Sequence, residues 1–483
     1  MRTSPAIRMN SGNDFKVVET QSLAHLYQRL LEPDVKIETV HEAEAWMKKH
    51  IGGLDLSSCD LPDNPQDLQR WTHSSAQSIA RQYASYLEQR KTGDPRRYFN
   101  NRAHALYFLK AIAPTKLVDG AWLYGLVKHW RVSKFSGLAR TYIEELGDGF
   151  ADRNHVVIYK SLLSRYGLDL PGEIKDNFYT QGLVQLVLAH SANSHLPEVI
   201  GFNLGYEQLP LHLLITAYEL NELGIDPYYF TLHVTIDNSD TGHALRAVNA
   251  VLDNLPRMGH TEDFWRRVKV GYQLSNLGLN TQNIIADFDI DEEIIRIFKQ
   301  KSSVGLNAHS DYCRVAGRYV NDWLSSKENI PEFLHALQMT NWIIRGEPAV
   351  KSRFWNLLQG DRAAMFGVFT SYELQVIHDW IRGTDSSDGQ TYEERDRPPS
   401  FASSQNFRIT SKLAATRCLT SPSADFQAKG EELLDADLQM LIEQLLFLEK
   451  ADQETILLAA MSPAHHWTPA GLFATRLFNE MIR

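Results

Sequence analysis

The chain has 483 residues, of which 43% are hydrophobic and 22% charged, and its net charge is -10. This length allows two or three domains, and the apolar content suffices for a sizeable core. The acidic balance argues against a general nucleic-acid or polyanion binder, because phosphate binding requires clustered Lys and Arg. Only short basic pairs such as Arg96-Arg97 occur, so we expect no nucleic-acid partner.

The three cysteines, Cys59, Cys313 and Cys418, lie far apart and form no CxxC pair. This spacing predicts neither a zinc-thiolate knuckle nor a disulfide framework. No stretch approaches the roughly eighteen apolar residues of a membrane span, and the first residues lack the apolar run of a secretory signal. We therefore expect a cytoplasmic protein without a membrane partner.

Residues 1–67 are expected to form an N-terminal extension that is partly disordered, since residues 1–14 are polar and irregular. Within it, Val35–Val40 could be a strand. From Leu68 onwards apolar residues recur every three or four positions, the spacing of helices, and no sustained alternation typical of strands occurs. The chain is therefore predicted to be all-α. The predicted helices are Trp71–Arg90, Ala103–Ile112, Gly120–Trp130, Leu138–Leu146, Val156–Tyr166, Asn177–Ala192, Leu211–Leu223, Phe230–Leu255 and Phe264–Leu277.

Residues 301–483 are expected to form a C-terminal helical region with a low-complexity loop at 383–405. After the loop, five leucines share one helical face, which indicates a packed or partner-binding helix and a candidate surface for a homodimer: Leu434, Leu438, Leu441, Leu445 and Leu448.

His465 and His466 lie between Pro463 and Pro469, so we expect a loop with two solvent-facing histidines and assign them no chemistry.

Three segments place ionisable residues within apolar helical sequence, where an unpaired charge is costly. The first, EELGDGFADRNH, contains Glu145, Asp152 and His155, and its Gly-Asp-Gly turn would let Glu145 and His155 converge. The second contains Glu207. The third, TLHVTIDNSDTGHA, carries His233, Asp237, Asp240 and His243.

In the third segment, His233 and Asp237 are four residues apart and would stack on one helix face. Imidazoles and carboxylates on one face suit a divalent cation such as Fe(II) or Mn(II), and glutamates from neighbouring helices would complete its coordination. A single such pair more often has a structural role as a helix cap or buried polar bridge. The combination of three such segments favours a metal site within a helical bundle.

Together the three segments resemble the haem-oxygenase-like di-iron oxidases and oxygenases, over about residues 103–280. Glu145 with the glycine-rich turn and His155 looks like the first motif of that family, and Glu207 like the second. The third motif, HxxxDxxH, is matched imperfectly, because five residues separate Asp237 from His243 where two are usual. Either the helix is bulged or broken near Gly242, or Asp240 and His243 supply the DxxH half of the motif and His233 is displaced.

The resemblance implies a haem-oxygenase-like helical bundle over residues 68–300 that binds two Fe(II) ions directly, without haem, and uses O2 as co-substrate. The implied metal ligands are Glu145, His155, Glu207, His233, Asp237 and His243, with Asp240 and Asp152 as substitutes. Glu145, Glu207 and His233 would be the catalytic residues.

The resemblance also implies that the enzyme N-oxygenates, desaturates or cleaves an amino-acid-like or carboxylate small molecule, in specialised metabolism such as natural product biosynthesis. Near the expected pocket, Lys116, Trp122 and Tyr124 are candidates for substrate capture. Asp119 could contribute a carboxylate there, but we expect a solvated or capping role for it. For Tyr206 we expect either core packing or orientation of Glu207.

Two other functions are compatible with a helical bundle. The first is a cofactor-free oxidase of the pyrroloquinoline-quinone-synthase type, in which the acidic residues would bind substrate. The second is a non-enzymatic scaffold whose leucine face binds a partner. The sequence alone does not choose between iron and manganese, because both accept these ligand types.

Overall fold

The computed structural model describes residues 22–168, 174–236, 242–306, 308–310, 312–360, 363–383 and 435–482. This part of the chain is helical apart from one small antiparallel hairpin of strands β1 (Arg314–Val315) and β2 (Arg318–Tyr319). The all-α prediction is confirmed. Residues 1–14 and 384–405, expected to be irregular, lie outside the described residues.

In the described residues, three α-helices precede residue 100: α1 (Leu23–Arg29), α2 (Ile37–Ile51) and α3 (Leu68–Lys91). The strand expected at Val35–Val40 is wrong, because α2 begins within it. The alternation that suggested a strand is short. Beyond it, Thr39, Ala43 and Met47 are buried at four-residue spacing, which is the spacing of one helix face.

Thirteen α-helices of the described chain follow between residues 102 and 305. They are α4 (Arg102–Ala111), α5 (Ala113–Lys116), α6 (Tyr124–Val127), α7 (Ser133–Glu145), α8 (His155–Arg165), α9 (Thr180–Ser191), α10 (Leu196–Tyr206), α11 (Leu211–Glu222), α12 (Tyr228–Ile236), α13 (His243–Asn254), α14 (Thr261–Leu274), α15 (Thr281–Ala286) and α16 (Ile290–Gly305). The continuous helix predicted over Phe230–Leu255 is wrong, because Gly242 is extended and α13 begins directly after it. A break near Gly242, the first of the alternatives left open, is therefore found. Asp240, on which the second alternative depends, lies outside the described residues.

The C-terminal helices are α17 (Val320–Leu324), α18 (Ile330–Met339), α19 (Arg353–Gln359), α20 (Ser371–Arg382), α21 (Ala436–Phe447), α22 (Lys450–Ala460) and α23 (Pro469–Ile482). Leu438 and Leu441 of the predicted leucine face are buried, and α21 packs against α23. At least this part of the face therefore contacts the chain itself. None of the helices described here has both the length and the apolar composition to cross a membrane.

The buried apolar residues form two cores. The first joins α4, α8, α11 and α12 to α15–α20, and the second joins α1, α2, α7, α9, α10, α13 and α14 to α21–α23. Helices carrying Glu145 and His243 belong to the second core, whereas those carrying His155 and His233 belong to the first. The segments singled out from the sequence thus meet where the two cores adjoin.

Candidate metal centre

The turn after α7 brings Glu145 and His155 together, as the sequence predicted. Gly147, Asp148 and Gly149 all have positive φ, and a side chain on Gly147 would overlap the backbone of Asn154. Asn154 then caps α8, its Oδ1 accepting a hydrogen bond of 3.0 Å from the backbone N–H of Val157. The chain therefore reverses over nine residues, and Nδ1 of His155 lies 2.6 Å from Oε2 of Glu145.

Four buried residues form the first group of possible metal donors: Asp119, Glu145, His155 and His233, with one donor atom from each lying within 4.8 Å of the others. Oδ2 of Asp119 lies 3.3 Å from Nε2 of His233 and 3.8 Å from Nδ1 of His155. The other ring nitrogen of His233, Nδ1, is 2.8 Å from the carbonyl oxygen of Tyr229. A proton on Nδ1 of His233 would form a hydrogen bond to that carbonyl oxygen. Nε2, which faces Asp119, would then carry the lone pair that can bind a metal.

The second group consists of Glu145, Glu207 and His243. Nδ1 of His243 lies 3.0 Å from Oε2 of Glu207 and 3.3 Å from Oε1 of Glu145. Glu145 thus belongs to both groups, with Oε2 directed to His155 and Oε1 to His243. A carboxylate placed in this way can bridge two cations.

The electrostatics of both groups favour positive charge between the carboxylates. Although burial opposes its ionisation, Glu145 has a pKa held well below the usual range by the charge of His155 and by hydrogen bonds to His155 and His243. Conversely, burial lowers the pKa of His155, but Glu145 and Asp119 outweigh it and raise that pKa to about 10. Carboxylates that hold a proton on these rings also attract a divalent cation, which competes with that proton.

Glu207 provides a separate test of whether a metal fits. Its Oε1 is buried and has no hydrogen-bond partner among the residues described, and burial raises the pKa of the carboxyl group. An orphaned buried carboxylate oxygen is costly, and coordination to a cation would satisfy it. Oxygen and imidazole donors of this kind suit iron.

Of the ligands implied by the resemblance, Glu145, His155, Glu207, His233 and His243 are all buried and come together in the two groups. Asp237 and Asp240 lie outside the described residues. Asp152 is exposed on the turn and belongs to neither group. Which of these residues bind a metal stays a prediction.

Asp119 is the group member that the sequence analysis considered only as the less expected source of a carboxylate. The expected solvated role is wrong, since Asp119 is only 3% exposed and accepts a hydrogen bond from the hydroxyl of Tyr229. Gly120 follows in a left-handed conformation, and a Cβ on it would meet Cβ of Glu145 at 2.8 Å. The signal available in the sequence was an aspartate between apolar residues and a glycine, in KLVDGAWLYG.

The expectation of two solvent-facing histidines near the C-terminus is wrong for His466. Its side chain is buried, and its Nδ1 lies 3.2 Å from Nδ2 of Asn154. The reason is long-range packing, because α23 contacts the turn at Gly147–Gly149. His465 is half-buried.

A cavity of about 550 Å³ reaches Asp119, Glu145, Glu207 and His233. Of the candidates for substrate capture, Lys116 and Trp122 line it, whereas Tyr124 packs near Tyr142 and His190. Tyr206 also lines it.

Tyr206 donates a hydrogen bond of 3.0 Å to Gln181 and stacks on Phe202. These contacts agree with a packing role for Tyr206.

Comparison with known proteins identifies the segment that contains both donor groups. Residues 106–276 match the family model described as iron-containing redox enzyme, a match that agrees with the resemblance expected over about residues 103–280. Searches of the curated proteins and of the solved structures returned no match. The buried carboxylates and imidazoles lie between Asp119 and His243, within the matched segment. Residues 106–276 of this all-α chain are therefore similar to the iron-containing redox enzymes, which supports the resemblance to the haem-oxygenase-like family.

Proposed function

We propose that the protein is a non-haem di-iron oxygenase or oxidase that uses O2 to oxidise a carboxylate or amino-acid-like small molecule. The observation that carries this proposal is the position of Glu145, which directs one carboxylate oxygen to each donor group. Asp119, His155 and His233 would hold one iron with Glu145, and Glu207 and His243 would hold the other. Haem iron is instead held by one or two axial side chains, so this carboxylate-rich set supports direct binding.

Iron, when bound, supplies the electrons that ordinary side chains lack for a reaction with O2. The protein's own groups orient the donors and exclude water. Tyr229 does so twice, because its hydroxyl donates to Asp119 and its carbonyl oxygen faces Nδ1 of His233. Burial of the donors keeps bulk water from the site and strengthens each electrostatic contact.

The lining of the cavity supports a substrate that bears a carboxylate. Lys116 is the one Lys or Arg among the described residues that line it, and the carboxylates there are Asp119, Glu145 and Glu207. The ammonium group of Lys116 lies 3.8 Å from Oδ1 of Asp119, beyond hydrogen-bonding distance, so its donors can bind an anion. Phe108 and Leu213 are among several apolar residues that would contact the rest of the substrate.

The test is oxygen consumption by the full chain after anaerobic loading with Fe(II), with and without candidate carboxylic acids. We expect O2 uptake that depends on both iron and substrate, and its loss in Glu145→Ala. Equal uptake in Glu145→Ala, with both proteins folded, would contradict the proposal. Substrate oxidation by metal-free protein would instead support a cofactor-free oxidase.

A further inference from the structure

The C-terminal residues 461–482 pack onto the stretch that connects two candidate ligands, Glu145 and His155. Residues 461–482 lie outside the segment that matches the iron-containing redox enzymes. The hydroxyl of Tyr142, one helical turn before Glu145, donates a 2.5 Å hydrogen bond to the carbonyl oxygen of Met461. This contact fixes the end of α7 against the C-terminal segment.

A second contact joins His466 to the residue directly before His155. The side-chain amide of Asn154 lies 3.2 Å from the carbonyl oxygen of Leu146 and 3.2 Å from Nδ1 of His466. Asn154 is fully buried, and its oxygen caps α8. One side chain therefore ties the residue after Glu145, the residue before His155 and the C-terminal segment together.

A third contact lies at the turn itself. Arg476 donates a 2.7 Å hydrogen bond to the carbonyl oxygen of Gly149, and Asn479 donates one of 3.1 Å to Asp148. Gly149 has a φ of 82°, and a Cβ there would overlap the carbonyl oxygen of Leu472 and the side chain of Arg476. Close approach of α23 therefore depends on glycine at this position.

We propose that residues 461–482 support the metal site by holding the turn between its ligands, with His466 and Asn154 as positioning residues for Glu145 and His155. This inference rests on the proposed function, because it takes both side chains as metal ligands. His466 binds no metal in this role. In the tautomer whose Nδ1 carries no proton, its ring accepts a hydrogen bond from the side-chain amide of Asn154. This bond helps to hold the turn in the conformation that brings the two donors together.

Packing alone would stabilise the fold without affecting the metal, so the test must separate the two effects. His466→Leu removes the ring nitrogen that faces the amide of Asn154, while the carbonyl oxygen of residue 466, 3.4 Å from the same amide nitrogen, stays in place. His466→Gln restores a side-chain acceptor. Leu457→Ala is the matched control. Leu457 is buried in the second core, as Met461 and Phe478 are, but it lies on α22 and makes none of the three contacts described above. Asn154→Ser keeps a capping oxygen and loses the amide that reaches Leu146 and His466.

Each full-length variant is titrated anaerobically with Co(II), whose visible bands report coordination geometry, and its thermal midpoint is measured. We expect His466→Leu and Asn154→Ser to weaken Co(II) binding by about 10- to 100-fold and to alter the bands, the effect typical of losing a group that orients a ligand. His466→Gln should recover most of the affinity. Leu457→Ala should lower the thermal midpoint but bind Co(II) as the parent protein does.

Parent-like affinity in both His466→Leu and Asn154→Ser would overturn the inference and leave the proposed function standing. So would an equal loss of affinity in Leu457→Ala, since the segment would then act through stability alone. If His466→Leu fails to fold, Asn154→Ser decides the question. A parent chain that is folded but binds no Co(II) would overturn the proposed function as well.

Discussion

Oε2 of Glu144 lies 2.8 Å from Nε2 of His243. The other nitrogen of that ring faces Glu145 and Glu207, so a proton held on Nε2 by Glu144 leaves Nδ1 available to a cation. Although burial opposes ionisation of Glu144, hydrogen bonds from His243 and Arg246 lower its pKa to about 2. Two consecutive glutamates thus contact the same imidazole from opposite sides.

Replacing Glu144 should weaken the second donor group. We expect Glu144→Ala to reduce metal affinity by about 10- to 100-fold, because the ring of His243 loses the partner that orients it. Glu144→Gln keeps an acceptor and should retain more affinity. Glu222→Ala is the control, since Glu222 is a glutamate of similar exposure that pairs with an arginine, Arg90, away from both donor groups. Anaerobic Co(II) titration measures all three variants, and equal affinities in Glu144→Ala and Glu222→Ala would contradict the assignment.

Asp119 and Asp152 are both candidates for a further carboxylate ligand, and we expect opposite results from replacing them. Asp119→Asn should lower iron content, because it replaces a buried anion of the first donor group with a neutral amide. Asp152→Asn should leave iron content unchanged, since Asp152 is exposed. Metal analysis after anaerobic loading and desalting compares the two. Iron loss in Asp152→Asn alone would reverse the assignment.

Gly120 permits the close approach of Glu145, and its replacement should disturb the site. Gly120→Ala would cost about 1–2 kcal/mol in backbone strain, because φ is positive, and would add an overlap with Glu145. Gly93→Ala provides the control, since φ is also positive there but no atom lies within 4 Å of the added Cβ. Chemical denaturation should show a loss of stability in both variants. Only Gly120→Ala should also lose iron, and full iron content in that variant would show that Glu145 tolerates displacement.

Lys116 should decide whether a carboxylate is preferred in the cavity. The parent enzyme should show a higher kcat/KM for a carboxylic acid substrate than for its methyl ester, and Lys116→Met should lose this preference while keeping its iron. The preference should be lost because Lys116 is the one Lys or Arg among the described residues that line the cavity. Lys175→Met is a distant control, because Lys175 lines a different cavity. An unchanged acid-to-ester ratio in Lys116→Met would exclude Lys116 as the anion-binding group.

Local sequence predicted the helices and the convergence of Glu145 with His155. Helical spacing and a glycine-rich turn are encoded by neighbouring residues, and most of the predicted helices and the convergence are found in the structure. Asp119 and His466 were misjudged because their burial depends on partners distant in the chain. Asp119 faces His233, 114 residues away, and His466 contacts Asn154, 312 residues away. No local pattern reports such contacts.

The break between α12 and α13 has a similar cause. Apolar residues on both sides of Gly242 suggest one helix, but Gly242 is extended and His243 starts a new helix with its ring directed to Glu207. The spacing of three and four residues is shared by one long helix and by two shorter ones. The unusual separation of Asp237 from His243 was the available sign of a break.

The most direct test of the central claim is the number of irons bound per chain. The full-length protein and Glu207→Ala are loaded anaerobically with Fe(II), desalted, and analysed for iron and protein, with folding checked by circular dichroism. If Glu145 bridges two cations, the parent protein will hold about two irons per chain, and Glu207→Ala will hold fewer because the second group loses a donor. Folded parent protein that retains no iron, or iron content unaffected by Glu207→Ala, would contradict the di-iron account.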